Sequence, residues 1–280
     1  MITSLTCLSP AKLNLFLHVT GRRDDGRHNL QTVFQLLDWG DAMTFERQNT
    51  PGCTLETDFK GVPPAENLIL RAANLLMPEN QSMDGVRISI KKSIPMGGGL
   101  GGGSSNAATT LLALNHLFAL GHSAETLAEM GLKLGADVPV FVLGRSAWGE
   151  GIGEILTPMS LPEDWFVILR PDCHVSTADI FNAAELTRNT APITMSAAFK
   201  GCVHNDLQPV VEIRHPEVRN ALKLLSNSAP AMMTGSGACV FAQVETQAQA
   251  LAIAAKVPES LAPVVARGIN HRPQFVAEHD

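Results

Sequence analysis

Pro95-Met96-Gly97-Gly98-Gly99-Leu100-Gly101-Gly102-Gly103-Ser104-Ser105-Asn106 decides how this chain is read, because six glycines around one leucine lead straight into an alanine- and leucine-rich helical pattern. Residues without Cβ let successive backbone N–H groups face one point, and the helix that follows adds unpaired donors and the positive end of its dipole. Such a turn suits a polyphosphate. Gly97-x-Gly99-x-x-Gly102 formally matches the dinucleotide fingerprint, but that fingerprint opens a βαβ unit and wants an acidic residue about twenty positions on. Here His122-Ser123-Ala124-Glu125 stands at that distance, after a helical pattern rather than a second strand. A Walker A loop ends in Gly-Lys-Ser/Thr, and Gly103-Ser104-Ser105 carries no lysine. A flexible linker would be polar throughout and would not run directly into an amphipathic helix.

Working outward, Gly85 to Lys91 alternates as a strand that feeds the glycine turn. Beyond the turn, Ala107, Leu111, Leu114 and Phe118 follow helical spacing, with Ser104 or Ser105 available as N-cap. Upstream, Cys7, Ala11, Leu13, Leu15, Leu17 and Val19 occupy one face of a strand, and Lys12, Asn14 and His18 the other. A charged loop, 21–28, separates that strand from a second at 30–37, and a helix is predicted over 67–77, stopped by Pro78. Downstream, a helix capped by Ser123 ends at Gly135, and Asp137 falls in a loop or helix start before the apolar Val138-Pro139-Val-Phe-Val-Leu143. Pro158 and Pro162 flank a polar break, which divides the chain into 1–158 and 159–280. The second part reads as a strand at 165–169, helices near 178–185, 205–213 and 216–226, and a second glycine turn, Thr234-Gly235-Ser-Gly, between a helix and a strand.

Composition narrows the function. The chain has 280 residues, 45% hydrophobic and 17% charged, the balance of a globular protein with a substantial core. A net charge of −6 argues against general nucleic-acid binding and leaves small molecules as the expected ligands. No apolar run reaches the length of a membrane span, and Cys7, Cys53, Cys173, Cys202 and Cys239 are dispersed without metal-ligand spacing. Reduced thiols, a cytoplasmic location, no membrane or nucleic-acid partner, and a monomer or homodimer are expected.

Lys12, beside Pro10-Ala11, and Asp137, between Gly135-Ala136 and Val138-Pro139, are charged residues in apolar or glycine-rich settings. Beside a phosphate turn they acquire a chemistry. Phosphoryl transfer needs an oriented acceptor hydroxyl, a carboxylate to take its proton, and positive charge near the transferred group.

Pro10-Ala-Lys-Leu-Asn-Leu-Phe-Leu, the glycine turn, Gly135-Ala-Asp-Val-Pro-Val-Phe and Thr234-Gly-Ser-Gly-Ala-Cys-Val-Phe-Ala together closely resemble the kinases of the GHMP superfamily. Within it they are similar to the branch acting on 4-diphosphocytidyl-2-C-methyl-D-erythritol, so the resemblance implies that small molecule as substrate. It also implies an α/β (α+β) architecture, with a ribosomal-protein-S5-like N-terminal domain that binds ATP and a ferredoxin-like C-terminal domain that serves the substrate. ATP would lie over Pro95, Met96, Gly97, Gly98, Gly99, Leu100, Gly101, Gly102, Gly103, Ser104 and Ser105, accompanied by Mg2+. Asp137 would be the base and Lys12 the counter-charge. Arg27 stands where the family has an aromatic residue against cytosine, and a guanidinium also stacks on a base. By the same resemblance His28 would read the base edge, Phe181 would cover its other face with Thr177 one helical turn before it, and Asn14 would lie near the substrate. Thr234 and Gly235 would support the diphosphate. No acidic cluster identifies a metal ligand. Another GHMP small-molecule kinase, a noncatalytic nucleotide-binding module on the same fold and a NAD-dependent oxidoreductase are the alternatives.

Overall fold

The computed structural model describes residues 2–59, 61–77, 84–199, 201 and 203–279, so Pro78 and Cys202 lie outside it. The chain opens with two 21-residue strands, β1 (Ile2–Arg22) and β2 (His28–Gln48), followed by β3 (Cys53–Leu55), α1 (Leu68–Leu76) and β4 (Gly85–Lys91). Then come α2 (Gly102–Leu117), α3 (Ala124–Leu132), α4 (Val138–Leu143), β5 (Ala147–Glu150), β6 (Ile155–Pro158) and β7 (Trp165–Leu169). The remainder is α5 (Thr177–Phe181), α6 (Met195–Ala198), α7 (Gln208–Arg214), α8 (Pro216–Ser226), β8 (Ala231–Met233), β9 (Val240–Val244), α9 (Gln247–Ala254), β10 (Val264–Ile269) and β11 (Val276–His279).

β2 is the hub. It pairs antiparallel with β1 along most of its length, with β4 through 42–48, with β5 through 32–34, and with β10 at Leu36 and Leu37. The principal order is β11-β1-β2-β10-β7-β9-β8, and among the described strands β3 and β4 are the pair that runs parallel. α1 and α2 cover β2 and β4 through a core that includes Met43, Phe45, Ile69, Ile88 and Leu114. α7 and α8 cover β7 and β9 through Val167, Leu169, Val211, Leu222, Leu225 and Val240. Between them, Leu13, Leu37, Phe166, Phe241 and Leu100 form a third cluster. The leucine inside the glycine turn is therefore an anchor, 1% exposed, whose burial stabilises by about 1.5–3 kcal/mol. No helix among the described residues is long and apolar enough to cross a membrane.

Three sequence expectations change. β1 is buried on both faces, because Lys12 meets the glycine turn, Asn14 meets Thr234 of the second glycine turn and His18 meets the rings of Phe16 and His204. α2 begins earlier than its hydroxyls suggest, with Gly101 at φ 72° in the N-cap position and Ser104 and Ser105 already helical. Of the two settings the sequence allowed for Asp137, the structure has the helix start: it is the N-cap of α4, with Pro139 in the first turn where a missing N–H costs nothing. The second glycine turn joins two antiparallel strands, β8 and β9, rather than a helix and a strand.

Candidate active site

A single cleft of about 960 Å3 brings the separated motifs together, at the upper end of the range usual for small-molecule sites. Its floor is the glycine turn. Lys12 Nζ donates to Asn14 Oδ1 at 2.5 Å and to Gly99 O at 3.1 Å, and lies 3.2 Å from Asp137 Oδ2. Lys12 is 2% exposed, whereas the Asp137 side chain is 35% exposed at the cleft wall. The pair is placed by two different elements: Lys12 by the middle of β1, where its own N–H also donates to Leu100 O at 3.1 Å, and Asp137 by the N-cap position of α4. A buried ammonium with three oxygen partners is fully satisfied, so the geometry is fixed before any ligand arrives. Asn14 continues the chain by donating from Nδ2 to Thr32 Oγ1 at 2.8 Å.

The glycines answer to two constraints. Gly99 and Gly101 have φ of 76° and 72°, which L side chains rarely adopt, while a Cβ on Gly98 would meet Cys239 Sγ at 2.7 Å. The turn rests on the β8–β9 turn: Cys239 N donates to Gly98 O at 3.1 Å, and a Cβ on Gly99 would stand 2.3 Å from Thr234 O. Beneath it runs a buried polar network. Asp41 accepts from Lys92 Nζ at 2.5 Å, from Ser93 N at 2.7 Å, from Ile94 N at 2.9 Å and from Asn106 Nδ2 at 2.9 Å. Asn106 also donates to Ser9 Oγ at 2.9 Å, and Ser9 donates to Ser105 Oγ at 2.8 Å.

At another part of the cleft the His28 and Phe181 rings stack, with centroids 5.2 Å apart and planes 30° apart. Arg188 Nε donates to His28 Nε2 at 3.1 Å. Burial first, then the positive charges of Arg188 and Arg22, lower the His28 pKa and keep the ring neutral.

The GHMP kinases N terminal domain pattern matches residues 67–145 and the GHMP kinases C terminal pattern matches 184–262. A 4-diphosphocytidyl-2-C-methyl-D-erythritol kinase of Marinobacter nauticus is 51% identical over 278 residues, covering 98% of this chain and 97% of that protein. The chain belongs to the GHMP kinase family. A second relative with that kinase name, from Pseudomonas aeruginosa, is 52% identical over 96% of each chain. A crystal structure of 4-(cytidine 5'-diphospho)-2C-methyl-D-erythritol kinase superposes with a TM-score of 0.83 at 32% identity, covering 94% of this chain and 98% of that one. Homoserine kinase from Cytophaga hutchinsonii shares the fold, with a TM-score of 0.70 at 15% identity. This GHMP kinase is therefore an ATP-dependent small-molecule kinase of mixed α/β architecture.

Most of the residues singled out in the sequence line the GHMP kinase cleft: Lys12, Asn14, Arg27, His28, Thr177, Phe181, Gly235 and Asp137, with the turn from Pro95 to Ser104. Ser105 and Thr234 stand behind it. Ser105 is fully buried against Ser9, and Thr234 Oγ1 accepts from Asn14 N at 2.9 Å, so each braces the wall without lining it. Arg27 is exposed at the tip of the β1–β2 hairpin, whose loop closes through Arg23 N to Arg27 O at 2.8 Å. Thr177 Oγ1 pairs with Ser236 Oγ at 2.7 Å.

Sequence reasoning passed over Lys92, Asp41, Asn106, Thr32 and Arg188. Lys92 had the strongest signal, since Lys91-Lys92 ends the strand that delivers the glycine turn. Cys7, Cys53, Cys173 and Cys239 are free thiols, and burial pushes Cys239 up to about 12, which leaves it inert beside the turn. Cys173, His215 and Glu217 bring donor atoms within 4.8 Å of one another but do not line the cleft, and their nitrogen and sulfur do not suit Mg2+.

Proposed function

We propose that this GHMP kinase transfers the γ-phosphoryl group of ATP to the 2-hydroxyl of 4-diphosphocytidyl-2-C-methyl-D-erythritol, giving the 2-phosphate and ADP in the non-mevalonate route to isoprenoid precursors. The observation that carries this reading is the meeting, in one cleft, of the Lys12–Asp137 pair, a glycine turn at a helix N-terminus and the stacked His28–Phe181 rings. The names of the relatives supply the substrate.

The phosphates of ATP lie over Pro95 to Ser104 and point their charge at the N–H groups that open α2. Leu68 and Lys92 flank Gly103 and Gly102, with a Cβ on those glycines standing 3.5 Å from Leu68 Cδ1 and Lys92 Nζ. The nucleoside is placed toward them, beside Phe59 and Val62. Asp137 accepts the proton of the acceptor hydroxyl and aims its oxygen, and Lys12 counters the charge on the equatorial oxygens of the transferring group. A loose transition state asks little prior deprotonation of a tertiary hydroxyl, so the main task of Asp137 is orientation. Asn14 and the β8–β9 turn hold the diphosphate side, and the cytosine ring lies on Phe181, covered by Arg27 and read by His28.

Mg2+ takes oxygen donors and, when bound, neutralises nucleotide phosphate charge. The cleft fits it: Asp137 is partly exposed there, and Ser104 Oγ lies 3.6 Å from the position a Cβ on Gly135 would take, two residues before that carboxylate. Asp137 and Ser104 are the side chains we assign to it. Residues 1–158 supply the nucleotide turn and the reacting pair, and 159–280 supply the wall behind the base; the free, dispersed thiols support a cytoplasmic setting.

The test is ADP release with Mg-ATP and 4-diphosphocytidyl-2-C-methyl-D-erythritol, alongside Asp137→Asn and a substrate lacking the cytidine. Turnover that needs both Asp137 and cytidine is expected. Turnover indifferent to cytidine moves the chain to another GHMP substrate, and wild-type rates in Asp137→Asn remove the carboxylate from the mechanism.

A further inference from the structure

Arg188 lies in the loop after α5 and does not line the cleft, yet its donors are used inside the protein. Besides the 3.1 Å bond from Nε to His28 Nε2, Nη2 donates to Phe181 O at 2.9 Å and to Ala183 O at 2.6 Å, and Nη1 donates to Leu186 O at 3.2 Å. A guanidinium has no acceptor and does not lose its proton in proteins, so the nitrogen it addresses on His28 must be the unprotonated one. A neutral imidazole then carries its proton on Nδ1, and Nδ1 has no protein partner among the described residues. His28 is only 7% exposed and lines the cleft, so Nδ1 is the ring nitrogen left for a ligand. The same guanidinium grips the carbonyl of Phe181, the residue whose ring stacks on His28. One side chain thus sets both the hydrogen-bond polarity of the histidine and the position of the flat surface beside it.

Resting on the reading of this end of the cleft as the base subsite, we propose that Arg188 is a positioning residue that fixes His28 as its Nδ1–H tautomer and thereby selects cytosine over uracil. The chemistry is one of matched edges. Cytosine presents an acceptor at N3, so a histidine N–H aimed at that position suits it, whereas uracil, which shares the O2 acceptor, carries its own N–H at position 3 and meets the histidine donor with another donor. A histidine free to exchange tautomers would lose that preference, because Nδ1 could accept as readily as it donates.

The experiment compares wild type, Arg188→Ala and Arg188→Lys on the cytidine substrate and on its uridine counterpart, with Mg-ATP as the common donor. Arg188→Ala is expected to raise KM for the cytidine substrate about tenfold, the size of one good hydrogen bond, while kcat stays within about twofold and KM for ATP holds. KM for the uridine substrate should hardly move, so discrimination collapses, and Arg188→Lys, which keeps a donor, should restore part of it. An equal rise in both KM values, or discrimination unchanged in Arg188→Ala, overturns the proposal and leaves Arg188 a loop brace. Nitrogen-15 imidazole spectra of the wild type, with the His28 signal assigned from its loss in His28→Asn, supply a second readout that needs no stable Arg188 variant. A protonated Nδ1 and bare Nε2 support the proposal, and the reverse overturns it. Wild-type indifference to the base in the same assay would instead sink the substrate reading.

Discussion

Lys12 condenses the site into one side chain. Its stem is packed so closely that a Cβ on Gly101 would approach Lys12 Cε to 3.1 Å, and its ammonium lies 5.5 Å from the centroid of the Phe34 ring. Lys12→Met should therefore keep the fold, at about 1–3 kcal/mol for the acceptors left on Asn14 and Gly99, and lower kcat about 100- to 1000-fold with a smaller change in KM for ATP. Steady-state kinetics beside a urea melt separate the two effects. His18 is a different case, since it is 1% exposed and neither ring nitrogen has a hydrogen-bond partner among the described residues. Burial, with His204 adding to it and Asp206 opposing, lowers its pKa from 6.5. The unfolded chain then binds the proton more tightly, so stability should fall as pH drops below about 6.5 and be retained above it. His28, lowered for its own reasons, acts in the same sense. Urea denaturation at acid and neutral pH should show a shallower pH dependence for His18→Phe than for wild type; an unchanged slope would remove His18 from the account.

Among elements, the meeting of the two glycine turns is the feature most sensitive to one methyl group. Gly99→Ala would put a Cβ 2.3 Å from Thr234 O at a φ of 76°, whereas Gly121, at the same φ, has open space around its Cβ position. Gly121→Ala should cost about 1–2 kcal/mol from backbone strain alone, and Gly99→Ala more than that, with loss of nucleotide affinity as well. Thermal melts with and without Mg-ATP test the contrast: nucleotide should still raise the melting temperature of Gly121→Ala and fail to raise that of Gly99→Ala. Legibility at this scale follows locality. β4, β7 and α8 stand at the bounds their alternation or spacing indicates, and the Ser123 cap holds because its hydroxyl accepts from Thr126 N, three residues on. The N-cap of α2 was illegible as a hydroxyl, since Gly101 is chosen for its conformation and its closeness to Phe141 rather than for a side-chain acceptor. Asp41 and Arg188 were hidden for a related reason: charged residues in a strand and a loop read as solvated until distant partners satisfy them.

For the whole molecule, the last strand closes on the first. β11 pairs with Ile2 to Thr6 of β1, Phe275 packs against the core beneath β4, and Arg272 stacks over Phe275 at 4.6 Å. Removing residues 275–280 would uncover a strand edge and part of that core, and should lower the melting temperature by about 4 °C or more while leaving kcat near wild type, because the cleft lining among the described residues includes none of this segment. A melting curve unchanged by the truncation would mean that β1 needs no such cover. The resting of one glycine turn on another also has a temporal consequence. During synthesis the Gly97–Gly103 segment leaves the ribosome long before Thr234 to Cys239, on which its shape depends. The nascent chain consequently lacks that support while its first half emerges, and the phosphate cradle gains it only once Cys239 has left the ribosome.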